Sequence, residues 1–296
     1  MISYQKTPVQ EIHSNFLIEA GVRLLIKRED LNHPEIQGNK WWKLKYNLEE
    51  ATRLRKVTLL TLGGAYSNHI YATAAAAREL GMKSIGIIRG EEVLPLNNTL
   101  RFAAACGMKL HFISRERYRD RFHAKFERDL HEEFGDFFFI PEGGTNAWAV
   151  KGCEEFAQEI LTEVDFDLLC LPVGTGGTLA GMVAGLAGKK QIIGISVLKG
   201  AEFLQEDVMR MTHDHSGREF LNYKILFEYH FGGYAKSTDG LVRFISDAAQ
   251  NWAIPLDPVY SAKAMYGIID QIRKGAFQRG SAILFVHTGG LQANPI

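Results

Sequence analysis

Short apolar runs and longer amphipathic stretches alternate along most of this chain. Residues 57–62, 83–88, 109–113 and 137–140 read as buried strands. Between them lie helical stretches: an alanine-rich one over 66–80 stopped by Gly81, one over 97–105 ended by Gly107, and a long charged one over 115–133. After Pro141-Glu142-Gly143-Gly144 the alternation restarts with a helix over 150–162, a strand over 166–173, a small-residue helix to about Gly188 and a strand over 191–197. Apolar runs at 22–27 and 282–286 read as two further strands. Strand, helix and strand in succession imply parallel strands joined by crossover helices, hence an α/β fold. Two such units suggest two domains, with ligands at their junction and at the carboxyl ends of strands.

The stretch 36–51 carries the clearest single helix. Trp41, Leu44, Leu48 and Ala51 recur at the spacing of one buried stripe, and Asn39 stands where an N-cap belongs. Lys40 therefore falls in the first turn, where exposed N–H groups carry partial positive charge and disfavour a second cation. A lysine held as its free amine is a nucleophile for aldehydes. Read in isolation, Lys40 is more readily one more cation on a solvated face, like Lys43 and Lys45.

Composition narrows the choice of ligand. In 296 residues, 46% of them hydrophobic, there is room for one large core or two ordinary ones. Lysine plus arginine (34) cancels aspartate plus glutamate (34). No net field recruits nucleic acid or an anionic membrane, and a small neutral or zwitterionic substrate fits better. Cys106, Cys153 and Cys170 are widely spaced, match no zinc pattern and read as reduced, intracellular thiols. Residues 1–11 lack a basic segment followed by an apolar run, and no apolar run approaches a membrane span, so a cytoplasmic location is expected.

Four glycine- or hydroxyl-rich segments sit at strand-to-helix junctions, helix starts or strand ends. Gly174-Thr175-Gly176-Gly177-Thr178 joins a strand to a helix, where backbone N–H groups and the helix N-terminus form an anion cradle. It is no Walker loop, and Leu179 stands where the third glycine of a dinucleotide motif belongs, so it reads as a site for a lone phosphate or as a tight turn without a ligand. Gly63-Gly64-Ala65-Tyr66-Ser67-Asn68-His69 offers Ser67 and Asn68 to a carboxylate, although Ser67 also suits a helix cap and His69 a satisfied polar position. Asp257-Pro258-Val259-Tyr260-Ser261 precedes a helix, and the strand at 282–286 runs into His287-Thr288-Gly289-Gly290. Tyr260 is either a ligand contact or core, and Tyr229, Trp41, Trp42 and Trp148 read as packing.

Taken together, these segments resemble the pyridoxal phosphate enzymes of the 1-aminocyclopropane-1-carboxylate deaminase and D-cysteine desulfhydrase family, of the tryptophan synthase β-like fold type II. Gly38-Asn39-Lys40 followed by Lys43-Leu44 is similar to the family's Gly-Asn-Lys-x-x-Lys-Leu, and the other segments recur in the family's order from Leu25 to Gly290. The resemblance implies two domains, 1–50 plus 146–296 binding the cofactor and a smaller one over 51–145, in a homodimer. It implies pyridoxal 5'-phosphate as cofactor, with Lys40 as its Schiff-base lysine, Gly174, Thr175, Gly176, Gly177 and Thr178 around the phosphate, and Thr288 on the pyridine nitrogen. Ser67, Asn68 and His69 would face the carboxylate of a small amino acid, and Tyr234 and Tyr260 match two active-site tyrosines. Deaminases of the family resemble Tyr-Glu and His-Leu-Gly-Gly where this chain has Tyr260-Ser261 and His287-Thr288-Gly289-Gly290. Both differences point to the desulfhydrase side, with Ser261 at the substrate. After Gly290 the chain departs from the family's Pro-Ala-Leu, an expected reduction of the segment covering the site's mouth. The implied reaction takes D-cysteine to pyruvate, ammonia and sulfide; its rivals are cyclopropane ring opening, β-replacement or a threonine-type lyase on the same fold, and a binding protein without turnover.

Overall fold

Every apolar run assigned above to a strand is one in the computed structural model, which describes residues 2–293. In chain order the first half comprises β1 (Val9–Ile12), α1 (Asn15–Ala20), β2 (Arg23–Lys27), α2 (Asn39–Arg53), β3 (Thr58–Gly64), α3 (Asn68–Glu79), β4 (Lys83–Arg89), α4 (Asn98–Ala105), β5 (Met108–Ile113), α5 (Arg115–Arg119), α6 (Ala124–Phe134) and β6 (Phe138–Ile140). The second half comprises α7 (Ala147–Glu163), β7 (Leu168–Val173), α8 (Gly177–Leu186), β8 (Gln191–Ser196), α9 (Leu204–Ser216), β9 (Tyr223–Leu226), α10 (Asp239–Trp252), α11 (Ser261–Arg273) and β10 (Ala282–Val286).

The strands divide between two sheets. The larger runs β1-β2-β10-β7-β8-β9, parallel except for β1, and the smaller runs β5-β4-β3-β6, parallel throughout. Helices cover both, as continuous apolar strands such as β10 and β7 require, because parallel strands must bury both faces. This is the expected α/β architecture of two parallel-rich sheets. Helix α2 packs along α7, with the Trp42 ring stacked 4.9 Å from Phe156, so the helix bearing Lys40 is fixed to the larger core. Trp41, Trp42 and Tyr229 are buried packing residues, and Trp148 is half-buried.

The structure adds β1 and β9 to the strands assigned above and departs from the sequence pattern in two further places. The charged stretch 115–133 is no single helix: His123 is extended (φ −88, ψ 134) and separates α5 from α6. The break turns Arg121 toward Glu142, 2.7 Å away, while Tyr118 and Phe126 bury separately. Asn39 does not cap α2 from outside but is its first residue, preceded by Gly38. Its side chain is used elsewhere, as described below.

Candidate active site

The carboxyl ends of β7, β10, β3 and β6 open onto one cavity, as parallel sheets arrange their ligand sites. Lys40, Ser67, Asn68, His69, Gly174, Thr175, Gly176, Thr178, Tyr260 and Thr288 all line it, together with Asn39 and Lys43. Residues separated by up to 249 positions are thus brought together. Tyr234 joins Tyr260 at the mouth, the two rings 6.2 Å apart and edge-on. Gly177 begins α8 directly behind the cradle. Ser261 is the exception: its hydroxyl donates to Asp257 Oδ2 at 2.8 Å and it is fully buried away from the cavity wall. The sequence places Ser261 beside Tyr260 but gives no sign that the helix start would turn it inward.

Gly38 sets the position of Lys40. It adopts φ 65 and ψ −140, a region that only glycine occupies readily, and a Cβ there would lie 1.9 Å from the Thr288 carbonyl oxygen. The start of α2 and the end of β10 therefore touch backbone to backbone. From that turn Asn39 reaches across to donate to Thr178 Oγ1 at 2.8 Å and accepts from Lys40 Nζ at 2.9 Å. Burial pulls the Lys40 ammonium down to about 8, with Cys153 and Asp257 opposing the shift. The helix-end field expected from the sequence is not the main cause; removal from water is. Lys43, one turn on, falls to about 7 through burial and then through the charge of Lys40, and its amine donates to Thr145 Oγ1 at 2.8 Å.

The phosphate cradle is built as the sequence indicates. Helix α8 begins without a side-chain cap, and the N–H groups of Thr175 and Gly176 have no backbone acceptor among the described residues. Lys43 Nζ lies 3.3 Å from where a Cβ on Gly177 would stand, so a further N–H donor backs the cradle. A Cβ on Gly174 would approach the Tyr260 ring at 3.1 Å. These donors, a nearby free amine and a strand-end hydroxyl at Thr288 suit a phosphorylated aromatic aldehyde.

Ser67 caps α3 by accepting from the Ile70 N–H at 3.3 Å, leaving the Asn68 side chain to the other end of the chain. A Cβ on Gly290 would lie 2.1 Å from Asn68 Nδ2, and Gln292 donates to Asn68 Oδ1. Gln292 therefore braces Asn68, one of the lining residues, from within the segment expected to be reduced; residues 294–296 of that segment lie outside the described residues. His69 is buried, and burial with the charges of Lys43 and Lys40 holds it neutral. Thr61 Oγ1 donates to the Ile140 carbonyl, so His69 Nε2–H donates to Thr61 at 2.8 Å.

Three supporting residues escaped the sequence reading. Asp257 accepts the N–H groups of Val259, Tyr260 and Ser261, each at 2.8 Å, and so fixes the backbone under Tyr260. An aspartate four residues ahead of a helix is the visible signal for such a turn. Lys263 Nζ donates to the carbonyls of His230 and Gly233 at 2.9 and 2.7 Å, holding the loop that presents Tyr234. His287 donates from Nε2 to the Pro255 carbonyl and accepts the Gly289 N–H at Nδ1, fixing the turn after Thr288. Burial pushes the Tyr234 phenol up to about 12 and Tyr260 well above its usual value, so both are neutral hydrogen-bond donors.

Comparison with known proteins gives a consistent picture. A family model described as pyridoxal-phosphate dependent enzyme matches residues 2–289. A putative 1-aminocyclopropane-1-carboxylate deaminase from Pyrococcus horikoshii is 33% identical, over 97% of this chain and 90% of that protein. A bifunctional D-cysteine desulfhydrase/1-aminocyclopropane-1-carboxylate deaminase, mitochondrial, from Arabidopsis thaliana is 32% identical, over 92% of this chain and 73% of that one. A crystal structure described as an ACC deaminase homologue superposes with a TM-score of 0.85 at 31% identity, over 98% of this chain and 90% of that chain. No helix among the described residues is long and apolar enough to cross a membrane.

Proposed function

The chain belongs to the pyridoxal-phosphate dependent enzymes, in the family of 1-aminocyclopropane-1-carboxylate deaminases and D-cysteine desulfhydrases, and from that premise we propose that it is a lyase converting D-cysteine or a similar small amino acid to pyruvate, ammonia and sulfide. The observation that carries this reading is the Lys40 amine, which lines the cavity with its pKa lowered to about 8 and has, among the described residues, the Asn39 amide oxygen as its one hydrogen-bond partner. Such a group is an effective base close to neutral pH.

When bound, pyridoxal phosphate supplies an aldehyde that takes up the substrate amine and a ring that spreads the charge left on the α carbon. Gly174, Thr175, Gly176, Gly177 and Thr178 would hold its phosphate with Lys43 behind them, and Thr288 would hydrogen-bond its ring nitrogen. A neutral hydroxyl there, unlike a carboxylate, would supply no negative charge to hold a proton on that nitrogen. Ser67, Asn68 and the first turn of α3 hold the substrate carboxylate, with His69 as a neutral wall. Lys40 Nζ accepts the α proton. Tyr234 and Tyr260, both protonated, stand on the mouth side, where a phenol proton can pass to the departing sulfur. We extend the proposal to a homodimer, which light scattering in solution tests.

One finding favours a second reading. The Pyrococcus and Arabidopsis relatives both carry the deaminase name, which supports ring opening of 1-aminocyclopropane-1-carboxylate to 2-oxobutanoate and ammonia. The two readings separate on one assay. Purified holoenzyme is given D-cysteine and, in a second reaction, 1-aminocyclopropane-1-carboxylate, and sulfide and 2-oxo acids are measured. Sulfide with pyruvate supports the first reading; 2-oxobutanoate alone replaces it with the second.

A further inference from the structure

The mouth of the cavity holds a cation that the chemistry above does not use. Gly64 and Arg89 are register partners at the carboxyl ends of β3 and β4, and Arg89 lines the mouth with Ser67, Tyr234 and Tyr260. Arg89 Nη2 lies 3.5 Å from the point where a Cβ on Gly64 would stand, and Tyr234 Cε1 and its hydroxyl lie 3.6 and 3.8 Å from the same point. The absence of a side chain at Gly64 thus leaves a space onto which a guanidinium and a phenol converge. The guanidinium carbon also stands 5.7 Å from the Tyr234 ring centre and 5.6 Å from that of Tyr118.

Arg89 makes no ion pair among the described residues, whereas the other arginines of the mouth do. Arg121 pairs with Glu142 and Arg210 with Asp207, each at 2.7 Å, and Asp214 sits largely in solvent 4.0 Å from His213. Arg89 is the one arginine of the mouth that the described fold leaves without a carboxylate. An arginine fork beside a neutral phenol is a matched donor set for a carboxylate, sulfinate or phosphate.

We propose that Arg89 is a specificity-determining residue and that, beyond the substrate proposed above, the site also takes small amino acids bearing a second anionic group on the side chain, in preference to their neutral isosteres. This rests on the reading that Lys40 and Ser67 mark the amine and carboxylate ends of the bound amino acid. The side chain then points to the mouth, where Arg89 and Tyr234 meet it.

The test uses holoenzyme and the absorbance change of its cofactor on titration with aspartate and with asparagine, which differ in charge but hardly in shape, in each hand. The expected result is that aspartate of one hand is held at least about tenfold more tightly than the matching asparagine, the usual worth of a charge-assisted contact. Arg89→Met brings the ratio close to one, and Arg89→Lys restores part of it. Arg210→Met, at an arginine already paired, leaves it in place. A wild-type ratio near one, a ratio that survives Arg89→Met, or an equal loss in Arg210→Met overturns the proposal. Sulfide release from D-cysteine is measured separately: its failure beside an intact aspartate preference removes the desulfhydrase reading and leaves this one standing.

Discussion

Replacing Gly38 with alanine tests the geometry that places the lysine. The new Cβ would stand 1.9 Å from the Thr288 carbonyl oxygen, where ordinary contact begins at 3.4 Å, so the two backbones must part by about 1.5 Å. Gly38 is held by its N–H to the Glu29 carbonyl at 2.9 Å and to Asn32 Oδ1 at 2.8 Å, and by its carbonyl to Asn32 Nδ2 at 3.0 Å. Losing two of these buried bonds costs about 2 kcal/mol, and forcing alanine into φ 65, ψ −140 costs a further 1–3 kcal/mol or so. The expected loss is about 3 to 5 kcal/mol. Gly217→Ala is the control, since Gly217 also has a positive φ (67) but has nothing within 4 Å; its expected cost is about 1 kcal/mol. Urea unfolding of the apoproteins gives the difference from the midpoints. A pyridoxal phosphate titration should show at least about tenfold weaker binding for the Gly38 variant alone, because Lys40 and Thr288 no longer share one cavity. Equal midpoints and equal cofactor affinity in the two variants would refute the reasoning.

Three further outcomes follow from the same site. Lys40→Ala should abolish both the cofactor's visible absorbance band and turnover, and a variant that keeps full activity removes Lys40 from the chemistry. Lys43 has a folded pKa near 7 against an ordinary value of 10.5, so between these the unfolded chain binds more protons and its contribution to stability rises with pH. Thermal midpoints of the apoprotein should therefore gain less between pH 7 and pH 9 in Lys43→Met than in wild type, and an identical gain counts against the buried free amine. Asp257→Asn turns an amide donor toward the Ser261 N–H and hydroxyl, so it should cost about 2 kcal/mol in urea and lower kcat more than it raises KM, because Tyr260 shifts. Unchanged kcat in that variant would show that Tyr260 takes no part in the reacting geometry.

The strands other than β1 and β9, and the site's four hydroxyl- or glycine-rich segments, were legible because each carries a local signal. Apolar runs such as 282–286 mark strands, and Gly174 to Thr178 marks a strand-to-helix turn. What stayed hidden depends on contacts distant in sequence. Asn39 suits a cap by residue type, but Thr178 and Lys40 claim its side chain in the fold. The low pKa of Lys40 was anticipated for a secondary reason, since helix position is readable in a sequence and depth of burial is not. Ser261 looked available beside Tyr260, and only the buried Asp257 shows why its hydroxyl turns away. Arg89 carries no motif at all; its meaning comes from its register with Gly64.

Strand β10 lies between β2 and β7, although it is the last strand made. Until residues 282–286 leave the ribosome, β2 and β7 each present an unpaired, apolar edge, separated by some 140 residues of chain that is already outside. The smaller sheet has no such wait, because its four strands are complete by Ile140. Synthesis therefore delivers a finished small sheet beside an unfinished large one whose missing piece sits at its centre. Unpaired edges of this kind recruit other chains. The Asn68 contact with Gly290 closes at the same late moment. The newborn chain thus gains its substrate pocket and loses its stickiest surface in a single event.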